Sequence, residues 1–258
     1  MRPYRPLALA AFVFPALSLG ADAVSVAVAN NFQQTAQTIA TAYTQKTGVK
    51  VEFSAGSSGK LYAQIANGAP FDVFLSADAD RPEKLEHDGL AVPGSRFTYA
   101  IGRLVLWSKD PAHNRRECAQ DLKAGKFKKI AIANAVNAPY GVAAEEVLRK
   151  MGLTEQKLEG RVVRGENVAQ TLQFVDSGNA DLGLVALAQV KHVDASASTC
   201  QWLVPADLHQ PIAQGAVLIK HATPKPGAAE FLDFLKSAAA QQMIVADGYS
   251  VGEMVAKP

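Results

Sequence analysis

The sequence predicts an α/β protein of two lobes, each a mostly parallel sheet flanked by helices. Three observations lead there. Short apolar strands alternate with amphipathic helices from Val24 onward, the grammar of parallel sheets covered on both faces. Two strand-like segments, 97–107 and 214–220, are placed to cross between lobes and to lie antiparallel to each other. No Gly/Ser-rich or Pro-rich linker interrupts the chain, which suits two short crossings and not a flexible tether. The expected division is residues 24–101 and 220–258 in the first lobe, with 102–219 inserted as the second.

The elements follow in order. Val24, Val26 and Val28 lie in a short apolar strand. Phe32, Ala36, Ile39 and Tyr43 recur at helical spacing until Gly48 stops the helix. Val49, Val51 and Phe53 alternate as a strand, Leu61 and Ile65 mark a short helix, and 71–76 reads as the next strand. Asp80 and Pro82 open another helix. The pattern repeats with strands at 104–107, 130–133, 162–163 and 181–187, and helices at 140–151 and around Val168, Leu172 and Val175. Late strands at 201–204 and 216–220 precede closing helices at 228–236 and 239–247.

Residues 1–23 differ from the rest. Arg2 and Arg5 precede an apolar run from Leu7 to Leu19, and Ala21 and Ala23 are small residues at the positions a signal peptidase reads. This is the pattern of a secretory leader, and its apolar run is too short to span a membrane. Without it, 24 basic residues face 23 acidic ones, a net of +1. No basic stripe or aromatic platform suits nucleic acid, whereas a small anion can be bound by local dipoles without net charge. A disulfide between Cys118 and Cys200 is permitted in an exported chain, but their 82-residue spacing neither supports nor excludes it.

The stretch Phe53-Ser-Ala-Gly-Ser-Ser-Gly-Lys60 resembles a phosphate loop at first sight. A nucleotide P-loop has four residues between its glycines and a Ser or Thr after the lysine. Here two residues separate Gly56 from Gly59, and Leu61 follows Lys60, so the magnesium-ligating hydroxyl is absent. What remains is a strand leading through two serines into a helix start, where the dipole and free N–H groups favour an anion. Lys60, past the first turn, reads as a solvated side chain and stays outside the site. Three other strands end the same way: Ala29 runs into Asn30-Asn31-Phe32, Ala133 leads to Ala138-Pro139-Tyr140-Gly141, and Val163 leads to Gly165-Glu166-Asn167-Val168. Ligands of open α/β sheets bind at such carboxyl ends. Two junctions per lobe would surround one cleft with hydrogen-bond donors, a cage for a compact oxyanion.

Enzyme signatures are missing. The five histidines form no metal-ligand spacing, and no nucleophile elbow occurs. Asp72 and Asp78 read as capping and loop hydrogen-bonding residues, since carboxylates beside an oxyanion would repel it.

These stretches, together with 68–78 (Gly-Ala-Pro-Phe-Asp-Val-Phe-Leu-Ser-Ala-Asp) and Asp181-Leu-Gly-Leu-Val185, resemble the periplasmic molybdate-binding proteins of molybdate ABC transporters over essentially the whole mature chain. The resemblance implies a two-lobed type II periplasmic-binding fold in the periplasm, without a cofactor. It implies molybdate or tungstate held whole by uncharged donors, with no direct metal ligands, and delivered by a monomer to a membrane permease. Carried over by position, the donors are Asn31, Ser58 and the backbone N–H groups of Tyr140 and Val168. Asn30 stands where some relatives use a threonine hydroxyl, and Ser57 is the neighbouring candidate. Some members place a tyrosine where this chain has Ala186, which implies a shell completed from the Asn30-Asn31 loop. The alternatives are a binding protein for sulfate, thiosulfate or phosphate, or an enzyme on the same fold.

Overall fold

The computed structural model describes residues 23–113, 118–193, 200–221 and 225–251. The leader expected over 1–23 lies outside these, apart from Ala23. In chain order, β1 (Val24–Ala29) passes through a 3-10 turn (Asn30–Phe32) into α1 (Gln33–Thr47). Next come β2 (Val51–Gly56), α2 (Ser58–Ala66), β3 (Val73–Leu75), α3 (Asp80–His87) and β4 (Phe97–Gly102). The chain continues with β5 (Leu104–Ser108), α4 (Cys118–Ala124), β6 (Ile130–Ala133), α5 (Pro139–Lys150) and α6 (Glu155–Leu158). Then follow β7 (Val162–Gly165), α7 (Val168–Asp176), β8 (Leu182–Ala186), α8 (Leu187–Val190) and β9 (Cys200–Leu203). Finally β10 (Ile212–Leu218) leads to α9 (Pro226–Leu235) and α10 (Ala238–Ala246).

The strands form two five-stranded sheets, in the orders β2-β1-β3-β10-β4 and β7-β6-β8-β5-β9. Each has a parallel core, β2-β1-β3 and β7-β6-β8, extended by antiparallel crossing strands. In β1, Val24, Val26, Ala27 and Val28 are all fully buried, which is why this interior strand reads as apolar apart from Ser25. Helix α1 buries Ala36, Ile39, Ala40 and Tyr43 along one stripe, where Tyr43 meets Phe231 of α9 edge-on at 5.3 Å.

The crossings differ from the sequence expectation in two ways. The segment 97–107 is not one strand. It changes sheets at Arg103, so β4 belongs to the first sheet and β5 to the second. The return strand β10 is the fourth strand of the first sheet, pairing with β3 and β4, so the boundary expected at 219/220 falls before Ile212. Val217 pairs with Phe74 and Ile212 with Gly102, which seats the returning strand between β3 and β4. The sequence pattern shows an apolar run but not which sheet claims it.

Cys118, opening α4, is disulfide-bonded to Cys200, the first residue of β9, with a Cα separation of 5.9 Å. The bond ties a helix to the edge strand of the second sheet. Replacing both cysteines by alanine is expected to lower unfolding free energy by about 2–4 kcal/mol. Urea titrations of the two forms measure this, and coincident midpoints would show that the clip contributes nothing.

Candidate functional site

One small pocket lies where the carboxyl ends of the two sheets face each other. It is lined by Ala29, Asn30, Asn31, Gly56, Ser57, Ser58, Ala77, Ala138, Pro139, Tyr140, Asn167 and Val168. All five residues expected to bind the oxyanion, Asn30, Asn31, Ser58, Tyr140 and Val168, are therefore brought together, with Ser57 beside them. The cavity is about 10 Å³, on the scale of one water-sized sphere.

Each wall is a strand running into a helix, and each supplies a donor in a different way. In the second junction Ser57 precedes α2, yet its hydroxyl does not cap the helix. Ser57 Oγ is buried with no partner, a donor awaiting an acceptor. Ser58 Oγ accepts the Ala77 N–H at 2.9 Å, which fixes the hydroxyl and leaves its own hydrogen to donate. In the third junction Pro139, at the start of α5, has no N–H, and the Gly141 and Val142 N–H groups both turn back to the Ala138 carbonyl. The first-turn donor left for a ligand is the Tyr140 N–H. In the fourth, Asn167 Oδ1 caps α7 by accepting the Gln170 N–H at 2.9 Å, which leaves the N–H at Val168.

The first junction departs from a simple side-chain reading. Asn31 Nδ2 spends its hydrogens on Gln214 Oε1 at 2.9 Å and Tyr249 Oη at 3.2 Å, so Asn31 can serve the pocket only through its main chain. Asn30 Oδ1 is buried without a partner. A half-turn of that amide exchanges oxygen for Nδ2 and offers a donor. Ala186 is fully buried at the end of β8 and does not line the pocket.

Three contacts join the lobes around the mouth. The Gly59 N–H donates to the Asn137 carbonyl at 2.9 Å, Arg81 Nη2 donates to the Val136 carbonyl at 3.1 Å, and Lys60 Nζ pairs with Glu166 at 2.6 Å. Lys60, expected to be simply solvated, thus reaches the other lobe. Both partners remain about half exposed, so the pair adds at most about 1 kcal/mol to closure. Asp72 and Asp78 lie outside the lining. Asp72 accepts the Ser25 N–H at 2.8 Å and pairs with Lys225, and Asp78 accepts the Arg81 N–H at 3.0 Å and pairs with its guanidinium. Among the described residues no cluster of three or more His, Cys, Asp or Glu could hold a metal ion, and no helix is long and apolar enough to cross a membrane.

Sequence reading missed Gln214, Tyr99 and Tyr249, which support the pocket from beneath. No local signal marks them, because their partners lie 23 to 218 positions away. Burial drives the phenols of Tyr99, Tyr140 and Tyr249 further above their ordinary value, so all three stay neutral. No lining side chain carries a charge. Anion affinity is therefore expected to hold constant within about twofold between about pH 6 and pH 9. A tenfold change across that range, read by calorimetry, would point to an ionisable group in the site.

The comparisons with known proteins agree with this geometry. Residues 24–250 match the model of the bacterial extracellular solute-binding proteins. The molybdate-binding protein of Azotobacter vinelandii is 47% identical over 88% of this chain and 90% of its own. That of Rhodobacter capsulatus is 46% identical over 94% of both. The solved periplasmic molybdate-binding protein of A. vinelandii superposes with a TM-score of 0.82, at 42% identity, over 89% of this chain and 100% of that one. The chain belongs to the bacterial extracellular solute-binding protein family, and within it to the molybdate-binding proteins.

Proposed function

We propose that this protein captures molybdate or tungstate between its lobes in the periplasm and delivers it to the permease of an ABC transporter. One observation carries the reading. A small pocket presents uncharged donors from four strand–helix junctions, two in each sheet's lobe, and no acid, base or nucleophile. That is equipment for holding an oxyanion, not for transforming one, and the relatives named above are binding proteins for molybdate.

The mechanism is lobe closure. Asn30, Asn31, Ser57 and Ser58 stand on one lobe, and Tyr140 and Val168 on the other. A dianion meets all its donors only when the lobes close, so binding shifts the population toward the closed form. Burying that charge without a cation requires every oxygen to be satisfied, and charge-assisted bonds to fixed N–H and O–H groups do so. Selection against a smaller tetrahedral anion comes from the cage's rigidity. The Gly59–Asn137 and Arg81–Val136 contacts fix how far the lobes approach, so the donors cannot follow a shrinking ligand. The protein acts as a monomer, and the leader over residues 1–23 directs its export.

Titration calorimetry with molybdate, tungstate, sulfate and phosphate tests the reading. One-to-one binding of molybdate and tungstate is expected, with sulfate and phosphate far weaker. Sulfate binding as tight as molybdate would replace this reading with that of a general oxyanion carrier. Ser57→Ala and Ser58→Ala should each weaken molybdate by about 1–3 kcal/mol, the cost of one missing donor beside a buried charge. An unchanged affinity removes that serine from the shell.

A further inference from the structure

Beneath the pocket runs a closed set of neutral hydrogen bonds centred on Gln214, which is fully buried on the return strand β10. Gln214 Oε1 accepts from Asn31 Nδ2 at 2.9 Å and from the Tyr99 hydroxyl at 3.0 Å. Gln214 Nε2 donates to Tyr140 Oη at 3.4 Å. The single Tyr99 hydroxyl hydrogen is shared between Gln214 Oε1 and the Ser76 carbonyl, each 3.0 Å away, and the Tyr249 hydroxyl donates to the Asn31 carbonyl at 2.6 Å. Asn31 belongs to the first lobe's donor set and Tyr140 to the second's. One side chain, placed on a crossing strand, therefore grips a residue from each half of the cage.

The neighbouring Gly102 shows how closely this joint is packed. A Cβ there would lie 2.3 Å from Tyr140 Oη and 2.8 Å from Gln214 Nε2, distances no side chain tolerates without movement.

We propose that Gln214 is the positioning residue that couples the two halves of the anion cage, holding Asn31 and Tyr140 in their ligand-binding places at the closed hinge. It touches no ligand and acts through those two residues. This rests on the reading of the pocket as an oxyanion site. A glutamine suits the task because it offers an acceptor to one lobe and a donor to the other while remaining uncharged. A glutamate in its place would bring a buried negative charge toward a dianion.

The test is a double-mutant cycle read by molybdate calorimetry on wild type, Tyr140→Phe, Gln214→Met and the double variant, with melting of each ligand-free protein alongside. Tyr140→Phe deletes one hydroxyl and keeps the ring, so the ligand-free protein is expected to fold and to melt about 2–8 °C below wild type, the effect of one buried donor left without its acceptor. Each single variant is expected to bind molybdate about 5- to 50-fold more weakly, and the double variant no more weakly than Gln214→Met alone, because both changes cut the same link. Gly102→Ala, which drives Tyr140 from its seat, should weaken binding comparably. If Gln214→Met does not fold, Tyr140→Phe and Gly102→Ala carry the test. Wild-type affinity in Tyr140→Phe, or losses that multiply in the double variant, would overturn the coupling. Should wild type itself bind no oxyanion, the reading of the site fails instead, so the two failures are distinguishable.

Discussion

A doubly charged anion can leave water only if every oxygen it exposes finds a hydrogen-bond donor. That constraint organises the structure. A single helix start offers too few donors, and a side-chain cation would add charge without fixing shape. The chain therefore assembles four strand–helix junctions, two from each sheet, so that main-chain N–H groups and serine hydroxyls converge on one point. Everything around that point is made small or neutral. Ala29, Gly56, Ala77 and Ala138 let backbone approach closely, and the nearest charges, Lys60 with Glu166 and Arg81 with Asp78, are already paired.

The rigidity of the cage comes from beneath. Three neutral phenols, an asparagine and a glutamine are hydrogen-bonded to one another in a buried region, where losing a partner is costly. The segment after α10 joins in. Tyr249 bonds to Asn31, and Ser250 exchanges backbone hydrogen bonds with Ile101 of β4 at 2.7 and 3.0 Å. The end of the chain thus braces its first loop and its first crossing at once.

Much of this was legible in the sequence, for a physical reason. Strand and helix periods are local, so β1, β6, α5 and α7 could be read to within a residue or two. Strand ends rich in Asn, Ser, Gly and Pro announce helix starts and so marked the four junctions, while the resemblance to the molybdate-binding proteins picked out Asn30, Asn31, Ser58, Tyr140 and Val168 within them. Long-range facts were not legible. That the first sheet claims Ile212–Leu218 leaves no local mark in the sequence. The Cys118–Cys200 bond depends on a Cα separation that spacing along the chain does not encode. Asn31 looked like a side-chain donor, and only its partner Gln214, 183 positions away, shows that its amide is already committed.

The insertion of one lobe within the other also sets an order of assembly. The second sheet holds all its strands once Leu203 is in place, and its disulfide can close with Cys200. The first sheet, although it contains the earliest residues, lacks the strand between β3 and β4 until Ile212–Leu218 arrives. A chain emerging from its N-terminus can thus finish its later lobe first. The earlier lobe waits, with the edge of β3 open, until β10 seals it and brings Gln214 into the joint.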